Sequence, residues 1–201
     1  MSKTISMLRR RVRRLIRSDE GSVVVETAVI TPVVLLILFG AVDVVRYLQV
    51  QSNVIRAVST TADAIGRQNG ITTSQVTAFL GHAADTIDPD VTSGTATITV
   101  ASVHRDGDQA PEVAWRRNQN AGTDQYQGTC QQTGAEGEAA VLPTGFTVES
   151  DDTVIVAEAC YTFIPAFLIS RVVFNLDFVP LDIYARAIAA ARFGALTILE
   201  P

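Results

Sequence analysis

Reactive side chains are scarce in this 201-residue chain. Histidine occurs twice, at 82 and 104, and cysteine twice, at 130 and 160. There is no Gly-rich phosphate loop, no HExxH, no CxxC and no GxSxG. These absences remove the commonest sequence routes to nucleotide binding, zinc hydrolysis, thiol redox chemistry and a serine nucleophile. His82 sits beside the apolar face of a short helical pattern, where a structural role is the simpler reading, and nothing nearby completes a metal site. Asp88 with Asp90, and Asp106 with Asp108, are close carboxylate pairs that in principle suit calcium. Glycines at 94 and 107 make turns the simpler reading. The chain reads as a non-enzyme, with no cofactor, metal or small-molecule substrate.

Charge is also sparse, at 18% of residues against 47% hydrophobic, and what there is lies unevenly. Lys3, Arg9, Arg10, Arg11, Arg13, Arg14 and Arg17 hold 7 of the 16 basic residues. Beyond residue 21 the chain has 9 basic and 19 acidic residues, a net charge of -10. So acidic a body repels phosphate backbones, which argues against nucleic acid as a partner. Trp115 beside Arg116 and Arg117 is either a stacking platform or, more simply, a loop anchor. A basic cluster directly before an apolar run sets topology, because flanking Lys and Arg stay in the cytoplasm. That places residues 1–21 inside and the body outside the inner membrane.

The apolar run covers residues 22–42, long enough at about 1.5 Å per residue to cross a core of roughly 30 Å. A removable secretory signal has a shorter run and a small-residue cleavage site after it, and no such site follows here. The pattern instead continues as an amphipathic helix in which Val44, Leu48, Ile55, Val58, Ala62 and Ile65 form one stripe. Asn69 and Gly70 offer a stop. With no turn signal between the two parts, residues 22–68 read as one helix about 70 Å long. Pro32 lies inside it, where neighbouring groups must compensate for the lost backbone donor.

Residues 72–87 predict a second, shorter helix with Val76, Phe79, Leu80, Ala83 and Ile87 on one face and Ser74 as N-cap. Alternation then predicts a strand at 95–104. The stretch 105–145 has little periodicity and reads as a long loop carrying Trp115 and Cys130. Apolar "DTVIVAEACYTFIPAF" (152–167) predicts a strand. "LDIYARAIAAARFG" (181–194) suits strand or helix; following Pro180, it is taken as a strand to about Ala190, pairing with 153–163. The fold class is α+β: a long N-terminal helix, transmembrane then amphipathic, a short helix, and a small antiparallel sheet domain over 69–201. In an exported body Cys130 and Cys160 meet oxidising conditions and form a disulfide in preference to remaining two buried thiols. Its loop of about 30 residues makes that link worth roughly 3 kcal/mol.

The opening stretch carries one more signal. Gly21 is followed five residues later by Glu26, inside the apolar run and after a basic leader, which resembles a type IV prepilin processing site. "GSVVVETAVITPVVLLILFGAVDVVRYLQVQSNVIRAV" is similar to the N-terminal segment of TadE-like proteins, minor pseudopilins of the tight-adherence (Tad) pilus. Glu26, Pro32, Phe39, Gly40, Asp43, Arg46 and Tyr47 match that family's pattern, and "YTFIP" (161–165) is similar to a segment near its C-terminus. The resemblance implies a pilin-like fold and cleavage after Gly21 by a prepilin peptidase. It implies as partners that peptidase, the major pilin and other pseudopilins.

Glu26 has a physical reading alongside that resemblance. Cleavage would give Ser22 a free α-amine, mostly protonated at neutral pH. A carboxylate inside a bilayer gains from such a counter-ion, which offsets part of its desolvation cost. Two readings stay open: an assembly residue pairing with an N-terminal amine, or a carboxylate solvated at headgroup level. Two also stay open for the whole chain, a pilus subunit or a membrane-tethered binding module on an uncleaved anchor.

Overall fold

The computed structural model describes residues 19–87, 94–121, 132–164, 181–194 and 198–199. Helix α1 runs Asp19–Gly66, beginning three residues before the expected start and ending two before the expected end. It is followed by β1 (Ile71–Thr72), α2 (Thr73–Ile87), β2 (Gly94–His104) and β3 (Glu112–Ala121). Then come β4 (Thr153–Phe163), β5 (Leu181–Ala190) and β6 (Ile198–Leu199). The chain divides into two units, and the boundary within α1 falls between Val44 and Val45.

In the first unit the described part of α1 is apolar and exposed. Val23, Val24, Val25, Val29, Ile30, Val33 and Ile37 are each half or more accessible, as a helix whose natural solvent is lipid should be. Two threonines interrupt it without cost. Thr27 Oγ1 donates to the Val23 carbonyl at 2.8 Å and Thr31 Oγ1 to the Thr27 carbonyl at 2.6 Å. Each hydroxyl is thereby satisfied inside its own helix, as a lipid environment requires. These bonds lie in the turn before Pro32, where the ladder loses a donor.

The second unit is a four-stranded antiparallel sheet in the order β3-β2-β4-β5. β1 and β6 form a separate parallel pair, Ile71 opposite Ile198. The expected pairing of β5 with β4 is found, running from Val154 opposite Ala190 to Phe163 opposite Leu181. The residues expected to form a long loop, 105–145, include a full strand, β3. It pairs with β2 along its length, with a bulge where Ser102 faces Trp115 and Val103 faces Val113. Among the described side chains of β3 only Val113 and Trp115 are buried, and residues 116–120 are all polar, which is why no sustained apolar alternation betrays it.

Alternate side chains divide β4 between two cores. Ile155, Ala157, Ala159, Tyr161 and Phe163 face the helices, packing with Val54, Ala57, Val58, Ala62 and Ile65 of α1 and Val76, Leu80, Ala83 and Ile87 of α2. Val154 and Val156 face the other side, where Ala101, Val103, Val113 and Val148 complete a smaller core with Ala140 and Leu142 at its margin. The stripe on α1 is rotated from the expected one. Val58, Ala62 and Ile65 are buried as predicted, but Val44, Leu48 and Ile55 are exposed, and Val54 and Ala57 take their place. A helix with apolar residues on two sides does not reveal by periodicity which side meets the sheet.

Local chemistry explains the boundaries. Helix α2 opens with a capping box rather than a Ser74 cap: Gln75 N donates to Thr72 Oγ1 at 3.3 Å, and Thr72 N donates to Gln75 Oε1 at 2.9 Å. Two orphan donors are satisfied reciprocally. Gly66 ends α1 against β5; a Cβ there would lie 2.9 Å from the Ala190 carbonyl oxygen, and Arg192 N donates to the Gly66 carbonyl at 2.9 Å. No other residue type fits this approach without movement.

Candidate functional site

Gly21 and Ser22 fall in the first two turns of α1, which starts at Asp19. Glu26 follows Ser22 by four residues, and this spacing places the two positions on one helix face, a turn apart. Side chains in a helix tilt toward its N-terminus, so the Glu26 carboxylate leans toward the end that processing would create. The residue is exposed. Among the described residues none forms a hydrogen bond or ion pair with it. Its neighbours one turn away, Val23, Val29 and Ile30, are all exposed and apolar. In lipid, such a carboxylate calls for a counter-charge from outside its own segment.

Residues 21–63 match the model of the TadE-like protein family. The N-terminal segment is similar to that family. The match starts at Gly21 and ends within the buried part of α1, so it takes in Glu26, Pro32 and the whole apolar run. The apolar part of α1 fits a single-pass membrane anchor. Comparisons with curated proteins and with solved structures give no match.

Beyond the TadE-like segment, the other candidates separate. Cys160 is buried in β4 and no free cysteine occurs among the described residues; Cys130 lies outside them. His82 is exposed on α2. His104 Nδ1 lies 3.1 Å from the Asp152 carbonyl and 3.0 Å from Thr153 Oγ1, tying two strand ends together. Asp106 and Asp108 sit in a turn closed by Gln109 N donating to the Asp106 carbonyl. Asp88 and Asp90 lie outside the described residues. Among the described residues no cluster could hold a metal ion. Trp115 is neither a stacking platform nor a loop anchor: it is 4% exposed in the core on the helix-facing side of β3.

One feature escaped the sequence reading. Glu158, 1% exposed, is a buried carboxylate at the centre of β4. Arg186 lies opposite it on β5 and forms an ion pair with it, with Arg186 Nε donating to Oε1 at 2.6 Å. Tyr184 OH donates to Oε1 at 2.9 Å and Thr133 N to Oε2 at 2.9 Å. Arg186 also donates to the Val141 carbonyl at 3.2 Å. The carboxylate therefore binds the segment covering the smaller core to the sheet. Burial, then the Glu158 hydrogen bond and charge, push the Tyr184 phenol up to about 12. The signal in the sequence was a lone Glu in "VIVAEACYTF" and a lone Arg in "IYARAIAA". Only the register shows that they meet.

Proposed function

We propose that this chain is a minor pilin-like subunit, a pseudopilin, that assists the assembly or priming of a Tad-type pilus. In this reading residues 1–21 are a cytoplasmic leader, 22–42 span the inner membrane, and the body from 69 onward is exported. A prepilin peptidase cuts after Gly21, and the new Ser22 amine supplies the positive partner that Glu26 lacks, on a neighbouring subunit such as the major pilin. The observation that carries this reading is an exposed Glu26, without a partner among the described residues, on a lipid-length apolar helix, four residues from the proposed new terminus. The same export puts Cys130 and Cys160 under oxidising conditions, and we assign them to one disulfide. Catalysis has no part in this reading.

Mass spectrometry of the mature chain tests it. An N-terminus at Ser22 that disappears in Gly21→Trp supports processing, whereas an intact residue 1 in the native cell favours an uncleaved tether. Glu26→Ala should leave cleavage intact and abolish or strongly reduce pili. Normal piliation in that variant would sink the assembly role.

A further inference from the structure

The four-stranded sheet has two edges, β3 and β5, and they are finished differently. An edge strand exposes a row of backbone donors and acceptors that another strand can pair with, and proteins guard it with bulges, charges, proline or a covering segment. β3 is guarded. A bulge interrupts its pairing where Ser102 gives way to Val103, and Arg116 and Arg117 lie on it. A neighbouring segment also covers its start: Val113 N donates to the Glu138 carbonyl and Gly137 N to the Val113 carbonyl, each at 2.9 Å.

β5 is open. Its pairing with β4 runs from Leu181 to Ala190 without a register shift, and the strand contains neither proline nor lysine. The ladder fixes the direction of each backbone group. Ala191 N donates to the Thr153 carbonyl at 2.9 Å, so these two residues are a hydrogen-bonded pair and every second residue back along β5 faces β4 likewise. The residues between, Asp182, Tyr184, Arg186 and Ile188, turn their N–H and C=O away from the sheet. Among the described residues nothing bonds to those groups. The edge is closed only past them, where Arg192 N donates to the Gly66 carbonyl.

Backbone groups spaced in this way are matched by an extended polypeptide. The side chains say what kind. Arg186 is held by Glu158, whereas Asp182 is exposed, accepts from Thr162 Oγ1 at 3.0 Å and has no cation beside it among the described residues. An opposite charge directly across from it on an added strand is favourable. The chain beyond residue 21 has a net charge of -10, so a second copy is repelled and a basic segment attracted.

We propose that β5 is a docking edge that takes an extended, basic segment of another polypeptide as a fifth strand. The added strand bonds to the N–H and C=O of Asp182, Tyr184, Arg186 and Ile188 and sets a Lys or Arg side chain against Asp182. The inference concerns the sheet alone and holds for a pilus subunit and for a tethered module alike.

The test uses the full chain in neutral-detergent micelles and a fluorescein-labelled peptide of four Lys-Val repeats, followed by fluorescence anisotropy. The peptide should bind the native chain. Asp182→Pro removes one outward N–H while leaving the ladder to β4 whole, and should weaken binding at least tenfold. Asp182→Lys keeps that donor and reverses the charge at an exposed position, and should weaken binding at least threefold. With its lysines on the Asp182 side, the peptide turns the lysine backbone N–H groups toward β5. Methylating those nitrogens should abolish binding, whereas methylating the valine nitrogens should not. Equal binding of the two methylated peptides overturns the proposal, since it would mean charge attraction without strand pairing. So does failure of the unmethylated peptide to bind, or unchanged affinity in both Asp182 variants. Sedimentation showing a dimer that Asp182→Pro dissociates also overturns it, because a second copy would then occupy the edge.

Discussion

At the scale of single residues, Glu158 and Glu26 are opposites. Glu158 is buried with three donor groups around it, and Glu26 is exposed with none among the described residues. The first is a structural charge; the second, in the proposed reading, takes its counter-charge from a neighbouring subunit. Glu158→Leu leaves the Arg186 guanidinium, 11% exposed, without its counter-charge, and should destabilise the domain by about 3–5 kcal/mol. Replacing both, Glu158→Leu with Arg186→Met, should recover most of that loss, because an apolar pair strands no charge. Denaturant unfolding of the chain in mild detergent checks both, and equal losses in single and double variants would contradict the account. Tyr184 gives a pH signature. Its folded value of about 12 lies above the ordinary 10, so the stability it contributes is complete below about pH 10 and is lost as the pH rises through 12. Tyrosinate absorbance should show a step near pH 12 that is missing from Tyr184→Phe.

Elements differ in how plainly the sequence announces them. Helix α1 is legible because an unbroken apolar run needs no tertiary knowledge, and α2 because its buried residues Val76, Leu80, Ala83 and Ile87 repeat at helical spacing. β5 is the ambiguous case, and its pairing with β4, buried at every position but Thr162, settles it as a strand. β3 was illegible for a physical reason: polar side chains such as Arg117, Asn118, Gln119 and Asn120 reveal no face, and only pairing with β2 makes it a strand. The α2 cap was misassigned by two residues because Thr72, Thr73 and Ser74 are all competent caps. The reciprocal bond from Gln75 selects Thr72. Gly66 makes a prediction of unusual sign. Glycine to alanine near a helix end ordinarily stabilises, but here a Cβ meets the Ala190 carbonyl at 2.9 Å. Gly66→Ala should therefore lower the thermal midpoint, by an amount matching about 1–3 kcal/mol.

For the molecule as a whole, the N-terminal segment was the more legible part and the core the less. Gly21, Ser22 and Glu26 are named by a local pattern that requires no folding to read, and the TadE-like match covers the same stretch. The smaller core and the Glu158 network depend on register, which local sequence does not encode. The close fit of Gly66 on β5 reaches further than the stability of one turn. With no room for a methyl group there and Val54, Val58 and Ile65 sunk in the core, this part of α1 cannot spin about its own axis. Leu48 and Ile55, both more than half exposed, therefore hold a fixed compass bearing relative to the strands. Any helix that lies along them arrives with its direction around the domain already chosen.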